Sequence, residues 1–398
     1  MNRPFKFCLV LCFLIVSVVT LRVATGGAEP SSNRNFVITN DANTSSNTVT
    51  ALGVKKGGAL AVVGKLNTGG QGAGGNYPSN HDVLMTFSGQ CIFASDGASG
   101  DIAAFEQTSK SPPRYKLIGN FSGPNTDDLG IGLAMDFNQH WLYAAYSVEP
   151  GEQLKVWSIN SDCSLGTSGQ ANYTYSLEAP IEDMTALANS TALLVTYPDL
   201  EEVGSFTINA DGSLTANGTQ AGSDAPSGII ANSAATYAVT TMYNSDDDAV
   251  EVWPLNPDGS LQAGTYYDFA SQSGSVASGA LTWDNGANPQ YIYVSNEPYF
   301  YNGQPNTIMI LKWTEPVPTF SSVFTPKGSS HYTGVFSKSD PIPPSNTTLV
   351  YLAESPNLIG VFQQGSGTLT ELPTSPAVDP NSSDLTSIFA FPYPINYQ

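Results

Sequence analysis

Between residues 236 and 261 the chain reads TYAVTTMYNSDDDAVEVWPLNPDGSL, a stretch in which apolar and polar positions alternate in short runs. Tyr237-Ala238-Val239-Thr240 is β-branched and aromatic, which predicts a strand. An acidic loop over residues 244–248 follows, and residues 250–255 then alternate apolar with polar side chains, as a strand with one buried face does. Asn256-Pro257-Asp258-Gly259 supplies a fixed φ at proline and a residue free to take positive φ at glycine, closing a hairpin into a third strand over residues 261–269.

The same pattern recurs along the chain. Its first strand begins at Phe36, Cys91, Trp141, Ala192, Tyr237, Tyr291 and Leu349, in steps of 55, 50, 51, 45, 54 and 58 residues. The hairpin returns as Asn160-Ser161-Asp162-Cys163-Ser164-Leu165, as Asn209-Ala210-Asp211-Gly212-Ser213-Leu214 and, more loosely, as Gly365-Ser366-Gly367-Thr368-Leu369. Seven repeats of about four strands predict an all-β, seven-bladed β-propeller. Inner strands are expected just before each of these strands, at 82–87, 130–137, 182–188, 226–232, 277–283 and 331–336, which makes six. The seventh is expected from the far end of the chain, residues 384–391 (DLTSIFAF), pairing with the N-terminal blade and closing the ring.

A fixed period overrides the two or three domains that 398 residues would otherwise suggest, so residues 29–398 are read as one propeller. Residues 1–28 read as a signal peptide: Arg3 and Lys6 precede an apolar run from Phe7 that is too short, and too soon interrupted by Arg22, for a membrane span. The expected location is therefore outside the cell or in its wall, with no membrane partner and a monomeric state. Seven Asn-x-Ser/Thr sequons, at Asn43, Asn120, Asn172, Asn189, Asn217, Asn346 and Asn381, fit that route as N-glycosylation sites. Cys8 and Cys12 leave with the leader. Cys163 stands where sister repeats place Gly212 and Gly259, and Cys91 begins a strand on the same face of the neighbouring blade, so the two are expected to form a disulfide; two unlinked buried thiols are the alternative.

The seven repeats, the Asn-x-Asp-Gly-Ser-Leu hairpins and second strands such as Trp141-Leu142-Tyr143-Ala144-Ala145-Tyr146 resemble the lactonase family of seven-bladed propellers, which includes 6-phosphogluconolactonases and 3-carboxymuconate cyclases. The secreted fungal members labelled carboxymuconate cyclase-like are the nearest in character. The resemblance implies an anionic substrate at one end of the central channel, held by Arg and His side chains. This chain departs from that pattern: past Arg34 its one arginine is Arg114, on the face away from the expected mouth.

Acid stands at the mouth instead. The predicted loops there carry 21 of the chain's 34 Asp and Glu residues against one lysine, Lys327. A cleft of one sign repels ligands of that sign, so a tricarboxylate or sugar phosphate is disfavoured and a neutral carbohydrate, an uncharged lactone or a cationic ligand is accepted. A formal net charge of −20 without a basic stripe excludes nucleic acid. His81 and His331 lie at the mouth-side starts of inner strands, near Asp82, Asp384 and Glu182, where a proton-transfer pair or part of a metal site is expected. His81, His331, Glu182 and Asp82 are thus the candidate catalytic residues, with no organic cofactor and with calcium or another divalent cation fitting the acidic mouth, Asp246-Asp247-Asp248 included. Two functions follow as expectations: a non-catalytic secreted glycoprotein that binds at a cell surface or wall, or a lactonase or cyclase-type enzyme acting on an unidentified lactone or sugar.

Overall fold

The computed structural model describes residues 35–74, 81–110, 113–123, 131–146, 152–166, 174–177, 179–242, 248–273, 278–284, 290–296, 305–328, 333–338, 348–354, 356–383, 385 and 387–391. His331, Asp384, Asn172, Asn346, Asp246, Asp247 and the leader lie outside them.

The strands form seven antiparallel sheets, and the chain is a seven-bladed β-propeller. The second strand of every blade starts where the repeat places it: Phe36–Asn40, Cys91–Asp96, Trp141–Tyr146, Ala192–Tyr197, Tyr237–Met242, Tyr291–Asn296 and Leu349–Glu354. These strands are buried on both faces between neighbouring blades, which is why they carry continuous apolar runs such as WLYAAY and ALLVTY. Tyr143, Tyr293, Tyr351 and Trp253 fill the space between blades with no exposed surface.

The inner strands are Val83–Met85, Ile131–Met135, Met184–Ala186, Pro226–Ala231, Ser278–Trp283, Thr333–Lys338 and Ser387–Phe391. Each touches the next in this order, and Ser387–Phe391 touches Val83–Met85, so the ring is complete. Ser387–Phe391 pairs antiparallel with Phe36–Asn40 over all five residues, from Phe36 opposite Phe391 to Asn40 opposite Ser387. Several inner strands are shorter at both ends than their sequence pattern, Val83–Met85 and Met184–Ala186 most of all. The third strand expected over residues 261–269 is likewise reduced to Thr265–Asp268, with Leu261 held to Leu255 by a single bridge. After the outer strand of blade 1 the glycine-rich segment ties back to that blade's own loop: Asn47 N–H donates to Gly70 O, and Gly72 N–H and Gly74 N–H donate to Asn43 O and Ala42 O, all within 3.0 Å.

The hairpin between third and outer strands performs one task in five blades. It presents a residue of positive φ to the first residue of the second strand in the preceding blade: Gly58 to Leu349, Gly212 to Trp141, Gly259 to Ala192, Gly367 to Tyr291 and Cys163 to Cys91. A Cβ at any of the four glycines would meet that neighbour's side chain. Cys163 takes φ 66° where Gly212 and Gly259 take 84° and 83°. Its side chain occupies the space a glycine would leave and is bonded to Cys91, with the Cα atoms 5.4 Å apart and 72 residues between them. One packing contact of the repeat has thereby become covalent. Closing a loop of this length restricts the unfolded chain by at most about 4 kcal/mol. Reduction should therefore lower the urea midpoint, and Cys163→Gly should cost less than Cys163→Ala, because glycine takes positive φ without strain. Free thiol at either cysteine in non-reducing peptide maps of secreted protein would refute the pairing.

Candidate functional site at the channel mouth

The mouth is the end of the ring where inner strands begin. His81 and Asp82 precede Val83–Met85 of blade 2, and Glu182 and Asp183 precede Met184–Ala186 of blade 4. His81 reaches over blade 3: its carbonyl accepts from Leu133 N–H at 2.9 Å, and its Nδ1 lies 3.2 Å from Asp183 Oδ1. Asp183 is held in place by the backbone. Its Oδ1 accepts from Met184 N–H and its Oδ2 from Ile229 N–H, both at 2.8 Å, so its carboxylate joins blades 2, 4 and 5. Glu182 Oε1 accepts from Ser227 Oγ at 2.5 Å, and Ser387 Oγ accepts from Asp82 N–H at 3.0 Å.

The His81 side chain is 32% exposed and that of Asp183 only 5%. Burial of the ring works against its charging, but the bond to Asp183 and the carboxylates of Asp183 and Asp82 outweigh it, and the His81 pKa is raised. An oriented imidazole open to the channel can take up or deliver a proton. Among the residues singled out in the sequence, the structure brings His81, Asp82 and Glu182 to one end of the ring. The partner that orients His81 is Asp183, one of the 21 acids expected at the mouth but not one of the candidate catalytic residues. Its signal was its register: Asp82-Val83 and Asp183-Met184 are equivalent positions of the repeat. His140 lies on the opposite face, exposed in the turn before Trp141.

Part of the acid in these loops is not solvated, although Asp199 and Glu201 are exposed. Asp41, Asp96, Asp248 and Asp379 have no exposed surface, and Glu354 has 1%. The four aspartates bond instead across blade boundaries or to nearby hydroxyls, whereas neither carboxylate oxygen of Glu354 has a hydrogen-bond partner among the described residues. Asp96 Oδ1 accepts from Asn47 Nδ2 at 2.9 Å and Thr68 Oγ1 at 2.7 Å, and Asp248 Oδ2 accepts from Asn296 Nδ2 at 2.9 Å. Asp379 Oδ2 accepts from Thr39 Oγ1 at 2.6 Å, while Asp41 Oδ2 accepts from Thr48 Oγ1 and Thr50 Oγ1. Burial, reinforced by Asp379 beside it, pushes the Asp41 carboxyl up to about 7. Burial raises Asp96 and Asp248 to about 6, and burial with Glu371 nearby raises Glu354 to about 8. Lysine is not their counter-ion. Lys327 Nζ donates to the carbonyls of Leu372 and Ser375 at 2.9 and 3.1 Å, and the described residues hold only two ion pairs, His81–Asp183 and Lys116–Glu106. No three His, Cys, Asp or Glu side chains converge as a metal cage among the described residues.

Solved structures share this architecture. A candidate 6-phosphogluconolactonase from Bacteroides fragilis aligns with a TM-score of 0.62 at 17% identity, over 91% of this chain and 99% of that one. The periplasmic gluconolactonase of Pseudomonas aeruginosa aligns with a TM-score of 0.64 at 15% identity, over 89% and 98%. A protein from Lactobacillus plantarum aligns with a TM-score of 0.68 at 15% identity, over 90% and 99%. The chain has the fold of the lactonase propellers. At these identities the likeness concerns fold alone. No protein-family model matches the chain, and no curated protein matches its sequence.

Proposed function

We propose that this propeller is a secreted glycoprotein of the cell surface or wall that binds an uncharged carbohydrate or a cationic ligand at the channel mouth, and that it does not turn over the anionic substrates of lactonase propellers. The observation that carries this reading is the commitment of two lysines near the mouth to backbone carbonyls, Lys327 to Leu372 O and Ser375 O and Lys155 to Ser122 O, among loops rich in carboxyls. An anionic lactone would meet no arginine and no unengaged lysine among the described residues there, His81 being already paired with Asp183, and desolvating it would cost several kcal/mol.

A second reading is favoured by the His81–Asp183 pair. A proton acceptor fixed by a buried carboxylate suits hydrolysis of an uncharged lactone, with His81 as general base acting on water. The two readings separate on one set of measurements with purified protein. Hydrolysis of 6-phosphogluconolactone and cyclisation of 3-carboxymuconate are expected to stay at background, while calorimetric titration with neutral oligosaccharides and polyamines is expected to reveal a ligand whose affinity falls at least about tenfold in His81→Ala. Robust turnover of either anion that disappears in His81→Ala overturns the proposal. Turnover of an uncharged lactone with the same dependence establishes the second reading instead.

A further inference from the structure

Five of the seven sequons lie in described residues, and the structure treats them in opposite ways. Asn120 sits exposed on the outer strand Pro113–Ser122 of blade 2, its side-chain amide making no hydrogen bond among the described residues. Asn189 is exposed in the turn between the inner and second strands of blade 4. Its Oδ1 accepts from Thr191 N–H at 3.0 Å and Thr191 Oγ1 at 2.7 Å, an Asx turn that commits the oxygen and leaves Nδ2, the atom a glycan takes, without a partner among the described residues.

Asn43 and Asn381 meet at the seam where the chain's end closes onto blade 1. Asn43 Nδ2 donates to Asn381 O at 3.0 Å, and Asn43 Oδ1 accepts from Ser383 N–H at 3.1 Å. Asn381 Nδ2 donates to Thr50 Oγ1 at 3.0 Å, and its backbone N–H donates to Asp379 Oδ1 at 2.9 Å. Ser382, the middle residue of the second sequon, donates from Oγ to Asp41 O at 3.2 Å. Both asparagines are half-buried. These amides link residues 338 positions apart in the chain. A sugar on either Nδ2 would have to stand in the space the opposite strand of the seam occupies. Asn217, exposed but bonded at both ends of its amide to Thr207 and Ser205, falls between the two classes.

We infer that Asn120 and Asn189 are N-glycan acceptors, whereas Asn43 and Asn381 remain unmodified and act as a two-sided clasp on the ring seam. The first pair places glycan on the outer strand of blade 2 and on the turn of blade 4 at the face opposite the mouth. The clasp residues stay bare. N-glycans are attached to the chain in the secretory pathway, so this inference rests on the secretory reading. The test removes that dependence by supplying a leader of known function.

The full chain after residue 28 would be expressed behind a host signal peptide in a eukaryotic cell. Secreted protein would then be treated with an amidase that converts glycosylated Asn to Asp in heavy-oxygen water, and its peptides mapped. The label is expected at residues 120 and 189 and absent at 43 and 381. Asn120→Gln and Asn189→Gln should each remove one glycan step in gel mobility and leave the melting temperature unchanged. Asn43→Gln and Asn381→Gln should leave the mobility unchanged and lower the melting temperature, because glutamine carries its amide one methylene too far for the seam. Label at residue 43 or 381 in folded protein overturns the inference, as does protein carrying no label at 120 and 189. Should either clasp variant fail to be secreted, the label at 43 and 381 in the parent chain still decides.

Discussion

Removal of residues 384–398 is expected to abolish soluble, folded protein. The strand lost is the inner strand of blade 1, and all five of its residues pair with Phe36–Asn40. Leu385, Ile388, Phe389 and Ala390 leave the core with it, each less than a tenth exposed. Burying a Leu, Ile or Phe side chain contributes about 1.5–3 kcal/mol, so the three together approach the whole stability of a typical domain, about 5–15 kcal/mol. The truncation also strips Ser387 Oγ from the backbone amides of Asp82 and Val83 and opens an unpaired edge inside the ring. A graded version is Ile388→Ala, which should cost about 2–5 kcal/mol in denaturant unfolding. Normal soluble yield and an unchanged melting temperature in the truncated chain would show that the ring is not closed by this strand.

The second large effect concerns pH. Stability is expected to fall as pH rises from 4 to 8. Asp41, Asp96, Asp248 and Glu354 all have folded pKa values raised above their ordinary ones, and His81 is raised as well. The folded state thus holds more protons than the unfolded chain across this range, and the stabilisation from each group is full below its unfolded pKa and lost as pH climbs through the folded one. For Asp41 the window runs from 3.8 to about 7. At about 1.4 kcal/mol per pH unit, that window corresponds to on the order of 4 kcal/mol. The cause is the buried pair: Asp41 and Asp379 share one site with Thr39, Thr48 and Thr50, and two carboxylates there without a cation repel each other unless one keeps a proton. Asp41→Asn supplies a permanent donor toward Asp379 and should flatten the dependence between pH 4 and 7, with stability at pH 8 equal to or above that of the parent. Melting temperatures at fixed ionic strength decide it. A curve that rises toward neutrality would mean these carboxyls ionise freely.

These two effects differ in how far the sequence discloses them. Ring closure is legible because the first repeat enters at Phe36 without an inner strand and residues 384–391 carry one without a blade. The second strands are legible to the residue, since burial on both faces leaves an apolar run bounded by turns. The Cys163 staple is legible from hairpin register alone. The fate of the acids is not. Asp41 and Asp379 lie far apart in the chain, and nothing local to either says that the threonines of blade 1 will gather them into one dry site. Register places Asp183 at the mouth, level with Asp82, but not its pairing: His81 finds it 102 residues on, two blades around the ring. Register discloses what repeats, whereas the candidate site is built from what differs between repeats.

Phe36 and Phe391 stand opposite one another, their rings 5.1 Å apart between centroids, at the end of the propeller remote from His81. A short linker between residues 36 and 391 on that underside would therefore join the two strands of the seam without crossing the opening above, so a circularly permuted chain opened at a surface turn should still close the ring.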